Sequence, residues 1–185
     1  MIDDTLLEAE EKMDKAVTVA QEDFSNIRTG RITPAVFSKI TAEYYGTQTP
    51  LNQLASFHVP EPRMITVQPF DKGSVGAIEK AIRNSDLGVN PSNDGALIRV
   101  VFPELTEERR REYVKTARAK AEDSRVSIRN IRRHAKDALD KMVKNSEAGE
   151  DDVHRAGNEL QTLTDTYIGK IDELLKHKES ELLEI

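Results

Sequence analysis

Leu105–Asn145 reads LTEERRREYVKTARAKAEDSRVSIRNIRRHAKDALDKMVKN, a stretch with no Gly and no Pro. At ~1.5 Å per residue it predicts one helix of ~60 Å. Small or apolar residues recur along it at alternating steps of four and three: Val114, Ala117, Ala121, Ser124, Ile128, Ile131, Ala135, Ala138 and Met142. That 3.5-residue period is the seam of a helix that lies along other helices. One residue further on runs a second stripe: Arg111, Lys115, Arg118, Glu122, Arg125, Arg129, Arg132 and Lys136, of which only Glu122 is not basic. A buried seam beside a cationic stripe describes a rod that presents charge to a partner.

Working outward, the charge is unevenly placed. The chain of 185 residues carries a net charge of −6, which argues against a protein that coats nucleic acid all round. Divided by segment, residues 1–29 carry −5, 30–104 are neutral, 105–145 carry +6 and 146–185 carry −7. A cationic helix therefore sits among anionic neighbours. Pairing within the bundle is one reading of that pattern. Exposed ion pairs contribute only ~0–1 kcal/mol each, which gives little reason for a near-unbroken basic stripe, so the pattern favours a nucleic-acid face.

Before this helix, Ile2, Leu6, Ala9, Met13, Ala16, Ala20, Phe24 and Ile27 recur at steps of three and four, predicting an amphipathic helix over 2–28 that stops at Gly30. All seven Pro residues then fall between Pro34 and Pro103. Strands are predicted at Lys39–Tyr45, Leu54–Val59, Arg63–Gln68 and Ala96–Phe102, a short helix at Ser74–Asn84 and a polar loop at Asp86–Gly95. After the basic helix, Glu150 to about Leu183 carries Val153, Leu160, Leu163, Tyr167, Ile171, Leu174, Leu175 and Leu182 and predicts a last helix.

One helix before a mixed segment and two after it make an α+β chain. The economical arrangement makes residues 1–29 and 105–185 an elongated three-helix bundle, with 30–104 a compact α+β unit inserted into it. The insertion passes through two short connections, Thr29–Pro34 and Phe102–Leu105.

Other chemistries find no support in the residues. There is no Cys and no Trp, which excludes disulfides and Cys-ligated metal and fits a cytoplasmic protein. The acidic start Met1–Asp4 is unlike a secretory or transit peptide, and no apolar run is long enough to span a membrane. His58, His134, His154 and His177 share no metal-ligand spacing, and Gly73-x-x-Gly76 is too short for a phosphate loop. No catalytic residue, metal or cofactor is expected. Tyr44-Tyr45 is a candidate base-stacking pair, although a strand there turns one of the two toward the small core.

Several strings occur in order along the chain: IRTGR at 27–31, EYYG at 43–46, PLNQLAS at 50–56 and AIRNSDLGVNP at 81–91. They continue with LTEERR at 105–110, VSIRNIRR at 126–133 and KIDE at 170–173. By these the chain resembles the ribosome recycling factor family over its full length. The resemblance implies a three-helix bundle with an inserted β/α/β lobe in an L-shaped, tRNA-like outline. It also implies a non-catalytic translation factor that binds the post-termination ribosome and, with elongation factor G and GTP, promotes subunit dissociation.

Within that resemblance, Arg129, Arg132 and Arg133 match positions that contact large-subunit rRNA, with Arg110 toward the hinge. Together with the cationic stripe this makes Arg110, Arg111, Lys115, Arg118, Arg125, Arg129, Arg132, Arg133 and Lys136 the expected rRNA-binding set. Arg28, Thr29, Gly30, Arg31, Pro34, Pro103 and Glu104 form the expected hinge. The partners implied are the ribosome and elongation factor G, met by a monomer. Ile32-Thr33 departs from the family pattern of Ala and a small polar residue, which implies a stiffer hinge or a changed resting angle. A coiled-coil adaptor binding an acidic protein is the alternative reading, and a small hydrolase has no residue pair to support it.

Overall fold

The computed structural model describes residues 1–30 and 32–184. By internal contacts these divide into two compact units. The first comprises Met1–Ile27 and Arg111–Leu183, and the second is built on Arg28–Arg110.

The first unit contains three long helices: α1 (Ile2–Ser25), most of α4 (Glu107–Lys144) and α5 (Glu150–Leu183). Their buried stripes form one apolar core. On α4, Ala117, Ala121, Ile128 and Ala135 are buried as the seam requires, while Val114, Ser124, Ile131, Ala138 and Met142 are only partly covered. The stripe then moves to Leu139, 1% exposed, which the strict 3.5-residue seam passes over. A straight helix drifts ~20° per heptad against that seam, so the inward face advances by one residue along its length. The same drift buries Val17 of α1 rather than Ala16.

Helix α1 stops at Ser25, short of the predicted 28. Asn26 caps it in a right-handed conformation and donates its backbone N–H to the Glu22 carbonyl, while the Ser25 hydroxyl donates to that same carbonyl at 2.8 Å. Gly30 therefore does not end the helix in a left-handed cap; the chain has already left it. Helix α4 opens on Thr106, whose side-chain oxygen accepts the Arg109 N–H at 3.2 Å. At its other end Ser146 adopts φ 59°, with Glu147 N–H donating to Met142 O at 2.8 Å and Ser146 N–H to Val143 O at 3.0 Å. Those two bonds are a Schellman closure with Ser in the position that Gly usually fills.

The second unit holds two antiparallel sheets. Strands β1 (Thr41–Tyr44) and β2 (Thr47–Pro50) form a hairpin around Tyr45-Gly46, with φ of 48° and 78°. Positive φ at both turn residues gives the primed turn whose twist suits a two-residue hairpin. A one-turn helix α2 (Leu51–Leu54) leads into a sheet of order β3-β4-β6-β5, formed by Ala55–Glu61, Met64–Pro69, Ile98–Val101 and Ser92–Asn93. Helix α3 (Val75–Arg83) contributes Val75, Ile78 and Ile82 to this unit's own apolar core, with Ile65, Val67, Ile98 and Val100 of the sheet.

Two strands, β2 and β5, were not expected. The first is too polar (TQTP) to show a strand pattern, and the second is a two-residue pairing inside the expected polar loop. Backbone pairing with a neighbour, not side-chain alternation, makes them strands. The expected strand Lys39–Tyr45 shortens because Tyr45 is needed for the turn.

Candidate nucleic-acid interface

The cationic stripe of α4 divides when its partners are counted. Helix α5 runs antiparallel beside α4, and its carboxylates meet part of the stripe. Arg118 Nε donates to Glu179 Oε1 at 2.6 Å, and Arg125 Nε to Asp172 Oδ1 at 2.8 Å. Seven residues forward on α4 correspond to seven back on α5, as an antiparallel register demands. Glu122, the acidic member of the stripe, accepts from Arg125 Nη1 at 3.1 Å and Arg129 Nη1 at 3.2 Å. Those two hydrogen bonds hold its carboxyl below the ordinary range. Asp172 in turn raises the Arg125 guanidinium above its usual value. Lys136 pairs with Asp140 one turn on, at 3.1 Å.

Beyond this network the pattern changes. Among the described residues, Lys115, Arg132 and Arg133 meet no carboxylate within ion-pair distance. Arg133 and Lys115 are exposed. Arg132 is partly buried, and its Nε lies covered by protein with no hydrogen-bond partner. The Nε of Arg110, in the second unit, is covered and unpartnered in the same way. Arg111 is exposed at the start of the first unit's share of α4. A guanidinium whose covered edge has lost water without gaining an acceptor is set up for an anion at its open edge. Arg offers a planar fork to phosphate where Lys offers a point charge.

The expected hinge residues belong to the second unit. The Arg28 guanidinium donates to the Pro103 carbonyl and lies over the Phe102 ring, 5.6 Å from its centroid. One side chain thus ties the first connection to the second. Pro34 opens a single 3-10 turn, Pro34–Phe37, and Glu104 is exposed. Thr29 and Gly30 are partly covered, and Arg31 lies outside the described residues. Ile32 is 4% exposed in the lobe's core, with its N–H donating to Pro62 O at 3.2 Å. Its extra bulk is therefore absorbed by the lobe's own packing.

The two tyrosines separate as well. Tyr44 is partly buried and its hydroxyl donates to Asp71 Oδ2 at 3.3 Å, while Tyr45 at the hairpin tip is 86% exposed. Desolvation, followed by the neighbouring Asp71 charge, raises the Tyr44 phenol above its ordinary value. Charge periodicity could not single out Asp172 and Glu179 as the groups that occupy Arg125 and Arg118. That pairing depends on the register between α4 and α5. No cluster of three or more His or carboxylate groups suited to a metal occurs among the described residues, and no described helix is long and apolar enough to cross a membrane.

A family model described as ribosome recycling factor matches residues 20–183. The chain is 71% identical to the ribosome-recycling factor of Thermobifida fusca and 68% identical to that of Streptomyces coelicolor, over 185 residues covering all of both chains in each case. It is similar to a solution structure of the ribosome recycling factor, with TM-score 0.81 and 41% identity over all of this chain and 98% of the other. It is also similar to a chain in models of the T. thermophilus ribosome recycling factor and E. coli elongation factor G bound to the E. coli post-termination complex. That match has TM-score 0.67 and 44% identity, with both chains fully covered. With the family model spanning most of its length and relatives aligned end to end, this chain belongs to the ribosome recycling factor family.

Proposed function

We propose that this protein binds the post-termination ribosome and, with elongation factor G and GTP, promotes dissociation of the subunits so that they can be reused. The observation that carries this reading is the end-to-end match to ribosome recycling factors, one of them in a set with elongation factor G on a post-termination complex. The work is binding and displacement, and no bond of a substrate is made or broken by this chain. It acts in the cytoplasm, as a monomer.

In this reading the bundle, residues 1–29 and 105–185, is the rRNA-binding arm. Arg129, Arg132 and Arg133 are its central phosphate contacts, and Arg110, Arg111 and Lys115 extend the face toward the hinge. Arg118, Arg125 and Lys136 add to the field while holding carboxylates of their own, as Arg129 also does through Glu122. The lobe, residues 30–104, moves as a body through Arg28–Pro34 and Pro103–Glu104 while the arm stays on its site. Short connections between separately packed units permit such motion.

The test is a subunit-splitting assay on post-termination ribosomes, with and without elongation factor G and GTP. Splitting is expected only with all components present. Splitting that ignores this protein would reject the reading. Engineered Cys residues that lock the lobe to the arm should preserve binding and abolish splitting; a locked protein that splits normally removes the hinge from the mechanism.

A further inference from the structure

The ion pairs between α4 and α5 form a ladder with a regular step. Arg118 Nε donates to Glu179 Oε1 at 2.6 Å and Arg125 Nε to Asp172 Oδ1 at 2.8 Å. Each rung moves seven residues forward on α4 and seven back on α5, so the same step places Asp165 opposite Arg132 as a third rung. That rung is not formed. Among the described residues Arg132 meets no carboxylate within ion-pair distance, and its covered Nε has no acceptor. The carboxylate is engaged elsewhere: Gln161, one turn earlier on α5, donates its Nε2 to Asp165 Oδ1 at 2.8 Å. Gln161 and Arg132 line the same groove between the two helices, and Asp165 stands outside that lining.

On the reading of α4 as the rRNA-binding face, we infer that Gln161 is a positioning residue for that face. By tying Asp165 back along α5 it leaves the third rung open and Arg132 available to a phosphate. Gln with Asp four residues on is a pairing that helices use, and its strength is comparable to that of an exposed ion pair. One hydrogen bond is therefore enough to set which way the exposed Asp165 points. A guanidinium already forked onto a carboxylate has to shed it before it can fork onto a phosphate, and Arg132 docks without that step. Gln161 acts through Asp165 and not on the RNA, and counting charges along either helix passes over it.

The test replaces Gln161 by Ala, which removes the hydrogen bond while keeping the helix and every charge. Asp165 is then expected to reach Arg132 and complete the ladder. NMR of the arginine side chains in the full chain reads this directly, as slowed exchange of the Arg132 guanidinium protons with water. Affinity for large ribosomal subunits is expected to fall about 2- to 5-fold, because docking then has to break an exposed ion pair. Asp165→Asn in the Gln161→Ala background should restore both the fast exchange and the parent affinity. A purely structural role for Gln161 would not respond to that second change.

Fast exchange at Arg132 in Gln161→Ala overturns the inference, as does a loss of affinity that Asp165→Asn leaves in place. A slowed Arg132 with parent affinity overturns it too, and Arg133→Ala, measured alongside, then shows how far the failure reaches. If Arg133→Ala weakens binding, the α4 face stands without the Arg132 rung. If it does not, the face fails as well.

Discussion

Arg125 and Arg132 are seven residues apart on one helix and look equivalent in sequence, yet their surroundings differ. Arg125 is held between Asp172 of α5 and Glu122 of its own helix. Arg132 has no carboxylate partner and a covered Nε without an acceptor. The first arginine joins two helices, and the second is a cation kept in reserve. A basic stripe is therefore not one surface. The acidic neighbour decides, turn by turn, which of its charges remain for an outside partner.

The sharpest way to break that distinction is Arg132→Ala. Charged hydrogen bonds contribute ~1.5–3 kcal/mol, so ribosome affinity should fall about 10- to 150-fold with an unchanged melting temperature. The slope of log affinity against log salt should drop by ~0.7–0.9, one phosphate's worth. Arg132→Lys should recover part of the loss, since charge returns without the fork. Lys170, which lies over the Tyr167 ring on α5 at 4.4 Å, serves as the comparison. Equal losses at Lys170→Ala and Arg132→Ala would reduce the interface to diffuse attraction.

Ala121→Leu tests the buried stripe that orients the cationic one. Ala121 is fully buried, so Leu should overpack the bundle and cost ~1–3 kcal/mol by urea denaturation. A midpoint equal to the parent's would mean that the helices can part there without penalty.

Arg125→Ala should show the opposite profile to Arg132→Ala. Its side chain is 20% exposed and its partners are about half exposed, so solvent screening leaves a stability loss of ~0.5–1 kcal/mol. Ribosome affinity should fall less than at Arg132. A larger affinity loss at Arg125 would show that the ribosome breaks the α4–α5 ion pairs on docking.

The smallest effect belongs to Glu122. Its hydrogen bonds from Arg125 and Arg129 lower its carboxyl below the unfolded value of ~4.3. Its stabilising contribution is therefore fully present above that value and is lost as pH falls through the depressed one. Glu122→Gln should flatten the acid side of the stability profile below about pH 4. An unchanged profile would show that those two hydrogen bonds do not persist in solution.

The long helices were legible because their signals are local and repeated. Absence of Gly and Pro, a run of small and apolar residues, and charge asymmetry all act within a few turns. Thr106 before Glu107 and Glu108 is a start signal of the same local kind, and its side-chain oxygen caps α4 there. The lobe was legible in outline through its Pro and Gly punctuation. Strands such as β2 and β5 were not, because a polar segment becomes a strand only when a neighbour offers backbone partners. Ile32 showed the same limit: its bulk marked a departure at the hinge, and its destination is the lobe core.

By itself, then, the sequence determined the helices, their approximate seams, the order of the two kinds of structure, the cationic character of α4 and the family. Tertiary structure decided which cations are occupied and which polar segments become strands. Both depend on pairings between residues apart in the chain, such as Arg125 with Asp172 or Ser92 with Arg99, and the first also on the slow drift of a 3.6-residue helix past its neighbour. Periodicity tells which face of a helix turns inward. Only packing sets which residue on the next helix it meets.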